Sequence, residues 1–140
     1  MTIKLQIYKC GICGNLVQVL NAGDGNLVCC GQEMELMPIQ YDSTELGEKH
    51  TPKVEIKEGK KFVNVIGHPM TNEHYIQFIE TYTADKKELH LKFFNPEEVP
   101  ETEVELNNTN EEFNSIEFCN IHNLWGDNRM LENEDGHYSI

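Results

Sequence analysis

Short runs in which apolar and polar residues alternate dominate the chain. Ile3, Leu5 and Ile7 alternate over 3–7, and LVQVL at 16–20 reads as another short strand. Further runs are KVEIK at 53–57, KFVNV at 61–65, HYIQFIETYT at 74–83, ELHLKFF at 88–94, TEVEL at 102–106 and FNSIEF at 113–118. Successive side chains of a strand point to opposite faces, so such runs fit strands with one face buried. Their spacing, with turn residues between them, predicts an antiparallel β-sandwich. Helical periodicity of any length is absent, and so is a solenoid-type repeat. Residues 95–101 and 107–112 read as polar loops, and the polar stretch 126–140 is expected to fray.

The first 38 residues read as a separate unit. Cys10-Gly-Ile-Cys13-Gly14 makes a tight turn, residues 21–26 form a hairpin loop, and Cys29-Cys30-Gly31 follows. A unit this short rarely holds a core alone, so a metal is expected to contribute to its stability. Pro38 to about Ser43 reads as a linker. The expected division is therefore 1–38 and 39–140.

Composition narrows the class. With 140 residues, 39% hydrophobic and 25% charged, the chain suits a globular fold. No apolar run approaches the roughly 20 residues of a membrane-spanning helix. The opening MTIKLQIYKC has no signal-peptide pattern, so a cytoplasmic protein is expected. A formal charge of −13 argues against nucleic acid or an anionic membrane as partner. The charge is uneven: Lys49, Lys53, Lys57, Lys60 and Lys61 cluster within 49–61, while 95–140 holds twelve acids against Arg129. The acidic stretch reads as a solvated surface. The lysines are expected to form a positive patch that offsets the net charge locally.

The five cysteines change the picture most. In a reducing compartment, clustered cysteines read as metal ligands rather than disulfides. Cys10, Cys13, Cys29 and Cys30 form two pairs, each followed by a glycine (Gly14, Gly31) that lets the backbone turn. Brought together by the intervening hairpin, they make a tetrahedral sulfur site. This spacing suits zinc as well as iron, although an adjacent pair such as Cys29-Cys30 is unusual for a zinc ribbon. YKCGICGNLVQVL and LVCCGQEMELM resemble the desulforedoxin domain over 1–38. That resemblance implies iron held by the four thiolates and used to carry electrons.

Cys119 remains, with six histidines. His90 lies between two apolar residues of a strand and is expected on the surface, as is His137 in the tail. The other four stand in Glu48-Lys49-His50-Thr51-Pro52, in His68-Pro69-Met70-Thr-Asn-Glu-His74, and in Cys119-Asn-Ile-His122. Singly these are weak signals. Together, and in this order from about 47 to 125, they resemble the catalytic domain of superoxide reductases. The chain as a whole is similar to the two-iron superoxide reductases of the desulfoferrodoxin family.

The resemblance implies an all-β protein, a small desulforedoxin-like domain followed by an immunoglobulin-like sandwich. It implies a second iron ringed by His50, His68, His74 and His122 with Cys119 as axial ligand. One position would stay open for superoxide, to be reduced by one electron to hydrogen peroxide. Neutral imidazoles and one thiolate leave a ferrous site with a single positive charge, which suits an anion. Lys49 would add positive charge and order a proton-delivering water, and Glu48 would occupy the open position at rest. A donor such as rubredoxin and a homodimeric assembly are also implied. Two other classes compete with this reading: a two-iron electron-transfer protein that never meets superoxide, and a zinc-ribbon adaptor on a partner-binding sandwich. A dismutase is the nearest enzymatic rival.

Overall fold

The structure, a computed structural model, describes residues 1–41, 44–107 and 113–127. Twelve short strands and one helix occur among them. The N-terminal unit holds β1 (Ile7–Lys9), β2 (Leu16–Gln18), β3 (Val28–Cys29), β4 (Gln32–Glu33) and β5 (Glu35–Leu36). They pair as a three-stranded sheet in the order β2-β1-β5 and a small hairpin of β3 with β4. The strand expected at 3–7 begins only at Ile7, because Leu5 takes a positive φ of 74° that breaks the extended run.

The rest of the chain forms a sandwich. After α1 (Glu45–His50) come β6 (Lys53–Lys57), β7 (Lys60–Asn64), β8 (Ile76–Thr83), β9 (Leu89–Phe93), β10 (Glu101–Glu103), β11 (Phe113–Cys119) and β12 (Asn123–Gly126). One sheet runs β10-β7-β6 and the other β12-β11-β8-β9, all neighbours antiparallel. Glu58 and Gly59, both at positive φ, turn the β6–β7 hairpin with the hand that suits twisted strands. Between the sheets lie Val63, Val65, Ile76, Ile79, Phe94, Val104, Leu106 and Phe113.

The outer face of β8, β11 and β12 is covered too. Phe78, Tyr82, Ile116, Phe118 and Leu124 share one core with Leu5, Ile7, Met37 and Ile39 of the N-terminal segment. Burial on both faces explains why IQFIETYT is apolar at both parities rather than cleanly alternating. It also shows how a unit of under 40 residues is held. Each such side chain contributes on the order of 2 kcal/mol by burial, so four of them anchor the unit beside any metal. The expected linker from Pro38 to about Ser43 is packed at its start: Ile39 is buried beside Met37, and Gln40 bridges in parallel to Trp125.

A buried polar contact crosses this junction. The Gln18 amide Nε2 donates to Glu80 Oε1 at 2.8 Å. Glu80 is almost fully buried, and burial pushes its carboxyl from an ordinary 4.5 up to about 7 despite that bond. Between those two values the unfolded chain loses the proton first. The group therefore works against folding as pH rises through the window, reaching about 3 kcal/mol above it. Glu80→Gln keeps an acceptor for Gln18 and removes the penalty. Its denaturation midpoint should exceed the parent's at pH 8 and match it near pH 4; an equal gain at both would reject this account.

α1 was not visible as a pattern. It spans six residues, and Gly47 stands where a capping box places Glu or Gln. Thr44 caps it, accepting from the Gly47 amide at 3.4 Å, and Pro52 prevents its continuation. No helix among the described residues is long and apolar enough to cross a membrane.

Candidate metal centres

In the N-terminal unit the four sulfurs of Cys10, Cys13, Cys29 and Cys30 lie within 4.8 Å of one another. Gly14 and Gly31 take φ of 82° and 77°, the left-handed turns expected after each pair, and Cys30 itself sits at 54°. Cys13 Sγ stands 3.6 Å from Cys29 Sγ, and Cys29 Sγ 3.9 Å from Cys30 Sγ. Metal–sulfur bonds of about 2.3 Å in a tetrahedron put sulfurs about 3.8 Å apart, so the cradle fits a metal ion. The amides of Ile12 and Cys13 both donate to Cys10 Sγ at 3.4 Å. These amides, Cys13 first, bring the Cys10 thiol down to about 6. Its neighbours Cys13 and Cys29 push Cys30 up to about 12. Four crowded sulfurs resist ionising together unless a cation compensates them.

The second cluster lies at one end of the sandwich. His50 closes α1, His68 lies in the loop after β7, His74 ends a tight turn before β8, and Cys119 ends β11. Donor atoms of these four fall within 4.8 Å of one another. His122, in the turn from β11 to β12, stands outside that tight group but completes a ring. Ring centres are 4.6 Å apart for His50–His68, 4.7 Å for His68–His74, 5.1 Å for His74–His122 and 4.8 Å for His122–His50. The His50–His74 diagonal is 6.4 Å. Half of it is about 3.2 Å, which matches a metal–nitrogen bond of about 2.1 Å plus about 1.1 Å from nitrogen to ring centre. The four imidazoles thus form a square around a point where an ion fits.

Hydrogen bonds select the nitrogen each ring offers. His50 Nδ1 bonds the Leu46 carbonyl at 2.8 Å, and His68 Nδ1 bonds the Pro69 carbonyl at 2.6 Å. Both are therefore N–H donors, leaving each Nε2 with a lone pair, and the two Nε2 atoms face each other at 3.2 Å. His74 Nε2 is buried with no hydrogen-bond partner among the described residues. His122 instead turns Nδ1 toward Cys119 Sγ at 4.0 Å. Burial, before any neighbouring charge, brings His68 down to about 4 and lowers His74. His68 and His74 are then neutral at ordinary pH, as ligands must be.

Cys119 is fully buried, and burial raises its thiol although the His122 amide donates to the sulfur at 3.4 Å. On the same strand Glu117 is completely buried with both carboxylate oxygens unpartnered among the described residues, and burial holds its carboxyl well above the ordinary range.

Other expected site residues fall less centrally. Glu48 and Lys49 are exposed on α1, and Lys49 Nζ pairs with Glu45 at 3.4 Å. The expected lysine patch is not assembled. Lys57 pairs with Glu101 at 2.8 Å and Lys60 with Glu103 at 3.6 Å, near the hairpin tip, while Lys53 sits at the opposite end of β6. The cause is the acidic strand β10, which lies beside β7. His90 is half-buried rather than a surface residue, its Nε2 3.3 Å from Glu105. His137 lies outside the described residues.

The sequence pattern did not reveal three supports of the site. Trp125 stacks on His50, with centres 4.9 Å apart at 28°. Asn120 accepts from the Tyr75 amide at 2.9 Å and donates to the Glu73 carbonyl at 3.0 Å, tying the His74 turn to the Cys119 turn. Gln40 holds the His122 carbonyl at 2.8 Å. Each lies one to three residues from a ligand or within the linker, where no local spacing signals a contact.

A four-sulfur cradle and a square of imidazoles beside a cysteine, on a nearly all-β scaffold, define a protein with two distinct metal-binding centres. The comparisons give the particular family. Residues 2–37 match the desulfoferrodoxin N-terminal domain and residues 42–128 the main desulfoferrodoxin domain. A desulfoferrodoxin homologue of Archaeoglobus fulgidus is 41% identical over 128 residues, 89% of this chain and 98% of that protein. Desulfoferrodoxin of Desulfarculus baarsii is 41% identical over 127 residues, 89% of this chain and 97% of that one. The crystal structure of the superoxide reductase from Treponema pallidum matches with a TM-score of 0.65 and 25% identity, covering 90% of this chain and 98% of that one. The chain belongs to the desulfoferrodoxin family.

Proposed function

We propose that the protein is a superoxide reductase. Superoxide takes up one electron and two protons and leaves as hydrogen peroxide. The square of four imidazoles closed by Cys119 carries this reading. The similarity to the Treponema pallidum superoxide reductase over nearly the whole chain supports it. We assign Cys10, Cys13, Cys29 and Cys30 to the first iron, and His50, His68, His74, His122 and Cys119 to the second. Residues 1–38 form the first domain and 39–140 the second.

When bound, the second iron supplies the electron and a positive charge that attracts the anion. The chain's residues prepare that position. Carbonyls of Leu46 and Pro69 fix the tautomers of His50 and His68. Four neutral rings leave the metal's charge largely uncompensated. Cys119, backed by the His122 amide, provides one soft negative donor away from water. Lys49 supplies positive charge at the entrance and orients a water that delivers a proton. Its exposed ion pair with Glu45 is weak enough to exchange for that task. Glu48 shields the position when superoxide is absent.

Electrons reach the first centre at the exposed side of Cys13 and Cys30 from a small donor such as rubredoxin. The family resemblance supports a homodimer.

The test is superoxide consumption by the pre-reduced, iron-loaded protein, counting peroxide formed and oxygen released. About one peroxide per superoxide without oxygen is expected. About half a peroxide with matching oxygen would assign a dismutase, and no consumption an electron-transfer protein. Lys49→Ala should keep both irons yet slow the reaction on the order of tenfold. An unchanged second-order rate at full iron content would remove Lys49 from the mechanism.

A further inference from the structure

Among the five donors of the second centre, His122 is the one outside the tight group. It lies in a turn whose next residue, Asn123, takes a φ of 70°. Its main-chain carbonyl, however, is held from two sides. Gln40 Nε2 donates to it at 2.8 Å and Trp125 Nε1 at 3.0 Å.

Gln40 makes a second side-chain bond, from Nε2 to the Leu124 carbonyl at 3.1 Å. Two carbonyl acceptors settle the orientation of its amide, since only the NH2 end donates. Its main chain is also engaged: the amide donates to the Leu124 carbonyl at 3.0 Å and its carbonyl accepts from Gly126 at 2.9 Å. Upstream, Ile39 and Met37 are buried in the core shared with Leu5 and Ile7. Gln40, two residues beyond the four-cysteine unit, is thereby bolted to the turn that carries His122. Through the His122 carbonyl it also steadies Trp125, whose ring lies on His50.

We propose that Gln40 is a positioning residue of the histidine centre. Its side-chain amide sets the orientation of His122 and Trp125 and links the first domain mechanically to the second iron. This rests on the assignment of His122 as a ligand. Groups that orient ligands without touching the metal commonly control its retention by 10–100-fold.

Gln40→Met keeps the length and packing of the side chain and the main-chain bridge but donates nothing. Gln40→Glu keeps the shape and places an acceptor against two carbonyls. Both variants, loaded with two irons, are challenged with a ferrous chelator while the absorption of each centre is followed. Gln40→Met should lose iron from the histidine centre roughly tenfold faster than the parent and shift its thiolate-to-iron band, and Gln40→Glu should lose it faster still. The four-cysteine absorption should stay as in the parent. Parental retention and band in both variants would overturn the proposal, and so would equal loss from both centres, which marks a general loosening of the fold. Superoxide consumption by the parent is scored separately, so a failure of the superoxide reductase reading does not register as a failure of Gln40.

Discussion

Cys119→Ser is expected to abolish superoxide reduction while sparing the first iron. The residue is fully buried, faces His122 Nδ1 at 4.0 Å, and accepts the His122 amide. Burial already raises its thiol, so the thiolate persists there only when a cation compensates it. A serine hydroxyl is a harder and far weaker acid, and it stays neutral in the same cradle. The ion then loses its one anionic donor as well as its one soft donor. Changes in the surroundings of ligands already cost 10–100-fold, so losing this ligand should lower the rate of the pre-reduced protein by more than about 100-fold. Its thiolate-to-iron absorption should vanish, with the four-cysteine spectrum intact. A variant that holds its second iron and reacts at the parental rate would remove Cys119 from the centre.

Cys13→Ser should do the converse. Cys13 contributes both an amide to Cys10 Sγ and a sulfur 3.6 Å from Cys29. Without that thiolate the first iron should be lost. The unit has little core of its own and shares Leu5, Ile7, Met37 and Ile39 with the sandwich, so the whole chain should melt earlier. A structural metal supplies several kcal/mol, and each kcal/mol moves a chain of this size by about 2–4 °C, so a drop of roughly 10 °C is expected in thermal unfolding. The second centre, reduced chemically beforehand, should still consume superoxide in a single turnover within about twofold of the parental rate. Loss of the second iron together with the first would show that the two centres do not stand independently.

Most sandwich strands are legible because an apolar–polar pattern marks them locally, cleanly in β6 and only in part in β8. KVEIK at 53–57 is β6 to the residue. The pattern at 113–118 stops one residue short of the end of β11 at Cys119. β12 and α1 carry no pattern of their own. β12 has four residues, and its neighbours in space, β11 and Gln40, are what define it as a strand. α1 is shorter than two turns, so no apolar face can repeat along it. The junction differs from its local pattern for a related reason. Pro38 and the polar residues after it look like a spacer, yet Met37 and Ile39 are buried against β8, β11 and β12.

Chemical type and local spacing were written in the chain. A thiol pair two residues apart, an adjacent pair closing a hairpin, and glycines where φ must be positive leave few uses besides a tetrahedral metal site. The four histidine contexts and Cys119 could be picked out only together, through their order. Whether they converge is a long-range matter, since His50 of α1, His68 and His74 of the β7–β8 connection, and Cys119 of β11 come from three separate stretches of chain, and only the packing of two sheets brings them to one end. Tertiary structure likewise decided that Lys57 and Lys60 pair with β10 rather than gather at the site. It placed Trp125 on His50, and Gln40 on His122, 82 residues away in sequence. The donors are identified by what they are, which a sequence states outright; their supports are identified by what they touch, which depends on chain closure over distances that no local pattern encodes.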